Sequence, residues 1–209
     1  MKVYITRHGT TEWNIKRILQ GWGDSNLTED GIMRAIKLGE KLQNVKFDMI
    51  YSSPQNRALE TAKLIRGNRN IKIETTVNIR ELGFGIWEGM CIDDIANKYP
   101  EEFSIYNNDP VRFVPMKGES YEELFKRINI FIDEIKSKKY ENILVVTHGV
   151  TIKALIANIK GLPLEEFSKL PVYTGTALNI VELKEDKMEF IVENDVSHLD
   201  IQEFDLYRW

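Results

Sequence analysis

Five side chains in this 209-residue sequence have the types and placement for chemistry on an anion: Arg7, His8, Arg57, Glu81 and His148. Arginine presents a planar fork of donors that grips two phosphate oxygens at once. A neutral imidazole can attack phosphorus. A second imidazole, protonated beside a negative charge, can help neutralise the dianion and the charge that spreads at the transition state. A leaving alcohol then needs a proton. Glu81 opens the glycine-rich stretch Glu81-Leu82-Gly83-Phe84-Gly85-Ile86-Trp87-Glu88-Gly89 and is the candidate donor. Each residue alone has a plainer reading: a core histidine, a helix-surface arginine, a solvated loop acid. Their position relative to the surrounding elements is what lifts them above it.

Those elements follow from the apolar pattern. Val3-Tyr4-Ile5-Thr6 is rich in β-branched and aromatic residues, reads as a buried strand, and stops at Arg7-His8-Gly9. Phe47-Asp48-Met49-Ile50-Tyr51 is a second strand running into Ser52-Ser53-Pro54. Ser53 fits an N-cap and Pro54 the first position of a helix burying Ala58, Thr61, Ala62 and Ile65, with Arg57 in its first turn. Residues 142–147 read as a fully buried strand that ends in His148-Gly149, and a helix follows at once. Thr28 caps a helix with Ile32, Ala35, Ile36, Gly39 and Leu42 on one face. Residues 71–77 read as a third strand, and the capping box Ser120/Glu123 opens a long helix. Residues 177–183 and 188–192 flank the polar Lys184-Glu185-Asp186-Lys187 as a hairpin at the sheet edge. Residues 195–209, with His198, carry no pattern. Strands alternating with amphipathic helices predict an α/β fold: a three-layer sandwich with a mainly parallel sheet, helices on both faces and an antiparallel edge strand. Ligands bind outside the carboxyl ends of such strands. Three of these ends together carry two arginines and two histidines.

Composition sets the bounds. A hydrophobic content of 43% over 209 residues supports one sizeable core. A net charge of −4 argues against a general nucleic-acid binder. The single cysteine, Cys91, supplies neither an internal disulfide nor a CxxC site. There is no HExxH and no His-x-His pair, and two arginines beside the histidines would repel a divalent cation, so no metal and no cofactor are expected. No apolar run approaches a membrane span, and Met1-Lys2 leads straight into the first strand, so a cytoplasmic protein without a membrane partner is expected. Between residues 84 and 118, Tyr99, Phe103, Tyr106, Phe113 and Met116 are interrupted by Pro100, Pro110 and Pro115. This reads as short helices forming an inserted flap, or as a satellite core. Trp13, Trp22, Phe84, Trp87, Tyr106 and Tyr173 would make a partly apolar mouth, or belong to the core.

Taken together, Arg7-His8-Gly9 with Glu12-Trp13-Asn14, Ser52-Ser53-Pro54 with Arg57-Ala58 and Thr61, Glu81-Leu82 with Gly85-Ile86-Trp87-Glu88-Gly89, and Thr147-His148-Gly149 resemble the histidine phosphatase superfamily, in the branch that includes cofactor-dependent phosphoglycerate mutase. The resemblance runs from Val3 to about Leu183 and implies one domain over residues 1–209, with the flap inserted. It implies His8 as a nucleophile that becomes phosphohistidine. Arg7, Arg57 and His148 are implied as the phosphate pocket with Gly149, Asn14 as a further phosphate contact, Gln20 and Gly21 as a substrate loop, and Glu81 as general acid and then base. The family's mechanism is ping-pong and metal-free. A mutase of this kind would carry Asn where Val150 stands, and a longer insertion with a Tyr, a Lys and an Arg pair. Here, between Glu88 and Ser120, only Lys98, Arg112 and Lys117 are basic. The Gly-Ile-Trp-Glu-Gly segment resembles the phosphatase branch of broad-specificity and α-ribazole-phosphate phosphatases. The expectation is a phosphomonoester hydrolase acting on a small phosphorylated metabolite. A 2,3-bisphosphoglycerate-dependent phosphoglycerate mutase and a non-enzymatic phospho-ligand binding module are the alternatives. The edge hairpin offers a surface for homodimer pairing.

Overall fold

The computed structural model describes residues 1–184 and 187–199. Glu185 and Asp186 of the expected hairpin turn, and residues 200–209 of the tail, lie outside the described residues. In chain order the elements are β1 (Lys2–Arg7), α1 (Glu12–Ile15), α2 (Glu29–Lys41), β2 (Met49–Ser52), α3 (Asn56–Arg66), β3 (Ile73–Thr75), α4 (Ile92–Lys98), α5 (Pro100–Asn108), α6 (Tyr121–Lys136), β4 (Asn142–Thr147), α7 (Gly149–Lys160), β5 (Leu178–Lys184) and β6 (Lys187–Asp195). Three 3-10 turns join them at Val77–Ile79, Gly85–Trp87 and Leu164–Lys169.

The sheet order is β3-β2-β4-β1-β5-β6. Strands β3, β2, β4 and β1 are parallel, with Arg7 opposite Thr147 and Ser52 opposite Val146. The hairpin closes one side: β5 pairs antiparallel to β1, and β6 pairs antiparallel to β5 as the outermost strand. Side chains alternate across the sheet. Val3, Ile5, Tyr51, Ile143 and Val145 face a core shared with α6 and α7. Tyr4, Ile50, Leu144 and Val146 face a second core under α2 and α3. The interior strands are apolar on both sides because both sides are covered, and this register brings the ends of β1, β2 and β4 together.

Several local readings change. The helix after β2 begins at Asn56, not at Pro54, and its N-cap Gln55 makes no side-chain capping bond. Asp24, from a loop 32 residues earlier, caps it instead, accepting from the Asn56 amide and, at 3.3 Å, from the Arg57 amide. Helix α2 buries Gly31, Arg34, Ala35 and Leu38 and leaves Ile32 exposed. Gly31 permits that rotation: a Cβ there would lie 2.2 Å from the Thr10 carbonyl oxygen. The third strand shrinks to Ile73–Thr75. Helices α4 and α5 occupy the expected flap. Its aromatic residues are not a separate satellite: Trp87, Ile95, Phe113 and Tyr121 belong to the same packed cluster as Val3 and Val145. The Trp87 ring lies 5.6 Å from Phe113 and 6.0 Å from Tyr106. Among the described residues, no helix is long and apolar enough to cross a membrane.

Candidate active site

A cavity of about 490 Å³ opens at the carboxyl ends of β1, β2 and β4. Arg7, His8, Asn14, Gln20, Gly21, Arg57, Glu81 and Gly149 all line it. His148 sits directly beside it, fully buried, with its ring centroid 5.1 Å from that of His8. Every residue expected at the site therefore comes to one place.

The geometry of His8 is defined on both nitrogens. Nδ1 lies 2.8 Å from the Gly9 carbonyl, which can only accept, so Nδ1 carries the proton. Nε2 is then the lone-pair nitrogen, and Arg57 Nε donates to it at 3.2 Å. Burial, reinforced by the Arg57 and Arg7 charges, holds the imidazole well below its ordinary pKa. The ring is neutral at physiological pH, and Nε2 can act as a nucleophile once Arg57 turns its N–H from that lone pair to an arriving anion. The backbone supports this pose: the His8 amide donates to the Thr147 carbonyl at 2.9 Å and the Gly9 amide to Thr61 Oγ1 at 3.0 Å.

Arg57 is held by the loop at 21–24. Nη1 donates to the Gly23 carbonyl at 2.6 Å and to Asp24 Oδ1 at 3.2 Å, and Nη2 donates to the Gly21 carbonyl at 2.9 Å. Asp24 thus caps α3 and anchors the guanidinium that α3 carries. Arg7 Nη1 donates to the Tyr173 carbonyl at 3.0 Å. Burial lowers the pKa of both guanidiniums from its ordinary value, as expected for two cations sharing a partly dehydrated site.

Glu81 is received by the N-terminus of α7. Its Oε1 accepts from the Thr151 amide at 3.2 Å, from Thr151 Oγ1 at 3.3 Å and from the Leu82 amide at 3.0 Å. Its Oε2 accepts from the Val150 amide at 3.3 Å. A carboxylate suits the positive end of a helix. The loop behind it is clamped by a buried pair. Arg127 Nε and Nη2 donate to Glu119 at 2.6 and 2.8 Å, and Nη2 also donates to the Glu81 carbonyl at 3.0 Å. Trp22 Nε1 donates to that same carbonyl at 2.9 Å.

His148 departs from expectation. A protonated ring requires a negative neighbour, and burial together with Arg57, His8, Arg7 and Arg127 instead drives its pKa well below the ordinary value. The ring is neutral until an anion arrives. Neither ring nitrogen has a hydrogen-bond partner among the described residues. Such buried polar atoms mark a place where a ligand completes the set. Asn14 spends its Oδ1 on the Thr11 amide and hydroxyl at 3.0 and 2.9 Å as part of a capping box, which leaves its amide nitrogen for the cavity. Gln20 Nε2 donates to Thr11 Oγ1 at 2.8 Å, and Gly21 supports Arg57.

The far wall is apolar. Phe84, Trp87, Ile95, Phe103, Tyr106 and Tyr121 contribute to it, and Trp13 lines the mouth. Trp22 and Tyr173, expected there, are absent from the lining: Trp22 braces Glu81 and stacks under Arg80 at 3.6 Å, and Tyr173 bonds Glu193. Sequence reasoning missed Asp24, Gln55 (whose Oε1 accepts from the Glu81 amide at 3.1 Å), Glu119, Arg127 and Lys153. The first four act through partners distant in the chain. A basic residue on a largely apolar helix was the signal available for Lys153. Among the described residues, no three or more His, Cys, Asp or Glu side chains form a group suited to a metal ion.

The chain is similar in sequence and in fold to known proteins. A solved Bacillus stearothermophilus protein, YhfR, superposes with a TM-score of 0.91 at 38% identity, covering 94% of this chain and 98% of that one. An Escherichia coli adenosylcobalamin/alpha-ribazole phosphatase is 32% identical over 166 residues, 79% of this chain and 82% of its own. An Arabidopsis thaliana phosphoglycerate mutase-like protein is 30% identical over 204 residues, 95% of this chain and 87% of its own. Phosphoserine phosphatase 1 of Hydrogenobacter thermophilus is 28% identical over 200 residues, 95% of this chain and 94% of its own. The model of the histidine phosphatase superfamily (branch 1) matches residues 3–196, and the chain belongs to that superfamily.

Proposed function

We propose that the protein is a phosphomonoester hydrolase that works through a phosphohistidine on His8, with Glu81 as general acid and base and without a metal. The observation that carries this reading is the His8 imidazole: neutral, its Nδ1 proton committed to Gly9, and its Nε2 lone pair facing Arg57 in the cavity. Nε2 attacks phosphorus while the bond from phosphorus to the ester oxygen breaks. The departing oxygen takes a proton from Glu81, which enters the cycle as the carboxylic acid and leaves this step as the carboxylate. The ring becomes cationic, and the Gly9 carbonyl stabilises it through the Nδ1 proton. Water then attacks the phosphohistidine, gives a proton to the Glu81 carboxylate, and the bond from phosphorus to nitrogen breaks to release inorganic phosphate. Arg7 and Arg57 neutralise the equatorial oxygens throughout. His148, neutral when the pocket is empty, gains a proton when the dianion binds. Asn14 and Gly149 complete the phosphate contacts, and Gln20 and Gly21 shape the near wall.

Two features favour hydrolysis over mutase chemistry. None of the flap's basic residues, Lys98, Arg112 and Lys117, lines the cavity, and the flap presents Trp87, Phe103 and Tyr106 instead. A mutase must hold a second phosphate there. In place of a mutase's asparagine, Val150 lends only its amide to Glu81 and its apolar side chain to the lining. The same reading makes the protein a cytoplasmic enzyme of small metabolites, with residues 84–118 as a flap inserted in one domain and β6 as the edge where two copies would pair. The test is release of inorganic phosphate from a panel of phosphomonoesters in the presence of a chelator, beside a mutase assay primed with 2,3-bisphosphoglycerate. Metal-independent release from several esters is the expected result. Primed mutase turnover without release would overturn the hydrolase reading, and tight binding with neither activity would favour a binding module.

A further inference from the structure

Helix α3 has an N-cap residue that does not cap it. Gln55 is extended, with φ −66° and ψ 133°, and its side chain makes no bond to its own helix. Asp24 does that work from the loop at 21–24. The Gln55 side chain is almost buried and bonds elsewhere. Its Nε2 donates to the Gly21 carbonyl at 2.5 Å, and its Oε1 accepts from the Glu81 amide at 3.1 Å and from Ser53 Oγ at 2.9 Å. These partners fix which way round the side-chain amide sits, because a carbonyl only accepts and a peptide N–H only donates.

Gln55 does not line the cavity, but it joins two residues that do. The Gly21 carbonyl also accepts from Arg57 Nη2 at 2.9 Å, and Arg57 Nε donates to His8 Nε2 at 3.2 Å. A run of hydrogen bonds therefore leads from the His8 imidazole through Arg57, Gly21 and Gln55 to the main chain of Glu81. Its two ends depend on Gln55 unequally. Arg57 is held as well by the Gly23 carbonyl and Asp24. The Glu81 amide has Gln55 as its one acceptor among the described residues. The Glu81 carbonyl is held separately, by Arg127 and Trp22. Two rigid peptide planes meet at the Glu81 Cα, and fixing both sets the direction in which its side chain leaves the chain. Releasing one of them lets the residue turn about the other.

We propose that Gln55 is a positioning residue for proton transfer: its side-chain amide holds the Glu81 main chain in register with the Gly21–Arg57 side of the phosphate site. This rests on the phosphatase reading and adds to it a residue that touches neither the ligand nor a reacting atom. The Glu81 bonds to the Val150 and Thr151 amides, at 3.3 and 3.2 Å, are long. The carboxyl gives up part of that set to reach an ester oxygen, so the main chain carries it through the transfer. Loss of Gln55 therefore falls on esters whose leaving group needs the Glu81 proton.

The test is kcat/KM of Gln55→Met, which keeps the length of the side chain and removes both polar atoms, for methyl phosphate and 4-nitrophenyl phosphate. In a ping-pong cycle kcat/KM ends at release of the alcohol and so reports the first transfer alone. It should fall about tenfold for methyl phosphate and less than about threefold for 4-nitrophenyl phosphate. In a Glu81→Gln background, Gln55→Met should add no further ester-selective loss. Equal losses on the two esters, or an added selective loss in the double variant, would overturn the proposal. Gln55→Glu keeps the shape and the oxygen facing the Glu81 amide but, when ionised, cannot donate to Gly21. Its selective loss should lie between those of the wild type and Gln55→Met, and no selective loss in it would also count against the bridge. Amide exchange followed by NMR, without any ester, separates this from failure of the phosphatase reading. If the wild type turns over no ester, that reading falls. The positioning role still stands if the Glu81 amide exchanges about tenfold faster in Gln55→Met while the Val145 amide is unchanged, and falls if the protection of Glu81 is unchanged.

Discussion

The floor and the far wall of the cavity are built from opposite chemistry. On the floor, buried polar groups from the ends of β1, β2 and β4 are fixed by backbone partners: His8 by Gly9, Arg57 by Gly21 and Gly23, Arg7 by Tyr173, Glu81 by Val150 and Thr151. Backbone groups move little, so this geometry exists before any ligand binds. On the wall, Trp87, Phe103 and Tyr106 pack ring against ring and against Phe113, which does not itself line the cavity, with no side-chain hydrogen bond among the described residues. Such a surface sets shape and excludes water, and it tolerates exchange among side chains of similar volume. The difference assigns each property a place: under the proposed function, the floor would decide whether a phosphoryl group is transferred, and the wall from which ester.

This division can be broken by substitution. The largest effect belongs to His8→Ala, which should lower kcat by at least about 10³-fold in steady-state phosphate release while a thermal melt moves little. Retention of near-wild-type turnover would remove the nucleophile from the floor. Glu81→Gln should cost about 10²–10³-fold on alkyl phosphates and much less on 4-nitrophenyl phosphate, whose leaving group hardly needs a proton. An equal loss on both would make Glu81 a structural residue. On the wall, Phe103→Ala should change the preference between naphthyl and methyl phosphate about tenfold, chiefly through KM. A matching fall in kcat for both esters would mean that wall and floor are not separable.

A separate effect concerns stability. Both histidines of the floor have folded-state pKa values depressed by burial and by the neighbouring guanidiniums. In the unfolded chain they titrate near 6.5. Below about pH 6.5 the unfolded state takes up protons that the folded state refuses, so stability should decline with acidification from that point, by at most about 1.4 kcal/mol per pH unit for each histidine. Urea melts between pH 7 and pH 5 measure this. His148→Asn should reduce the slope, and an unchanged slope would mean that His148 is not held neutral.

The sequence made the floor legible and the supports of the floor invisible. Arg7-His8-Gly9 and His148-Gly149 stand out because a cation or an imidazole ends an otherwise apolar strand, and strand polarity then brings the ends together. Asp24 does not stand out, because its work is done on Asn56 and Arg57 across a loop, and it displaces the Ser53-Pro54 signal that local pattern favours for the helix start. Arg127 and Glu119 look like helix-surface charges until α6 is packed behind Glu81. His148 shows the same limit: residue type offers a proton, while burial beside three guanidiniums lowers the pKa of the ring in the unliganded pocket. The flap's helices were visible in the spacing of aromatic and proline residues, but the merging of their aromatic rings into the main core was not.

The central claim is that the phosphoryl group passes through His8. The most direct measurement is to quench the enzyme during turnover of a phosphomonoester under mildly alkaline denaturing conditions, which preserve phosphohistidine, and to map the phosphoryl group by peptide mass spectrometry. The expected result is a transient phosphoryl adduct on the peptide carrying His8, absent from His8→Ala. Steady hydrolysis with no adduct on His8, or an adduct on another residue, would contradict the account.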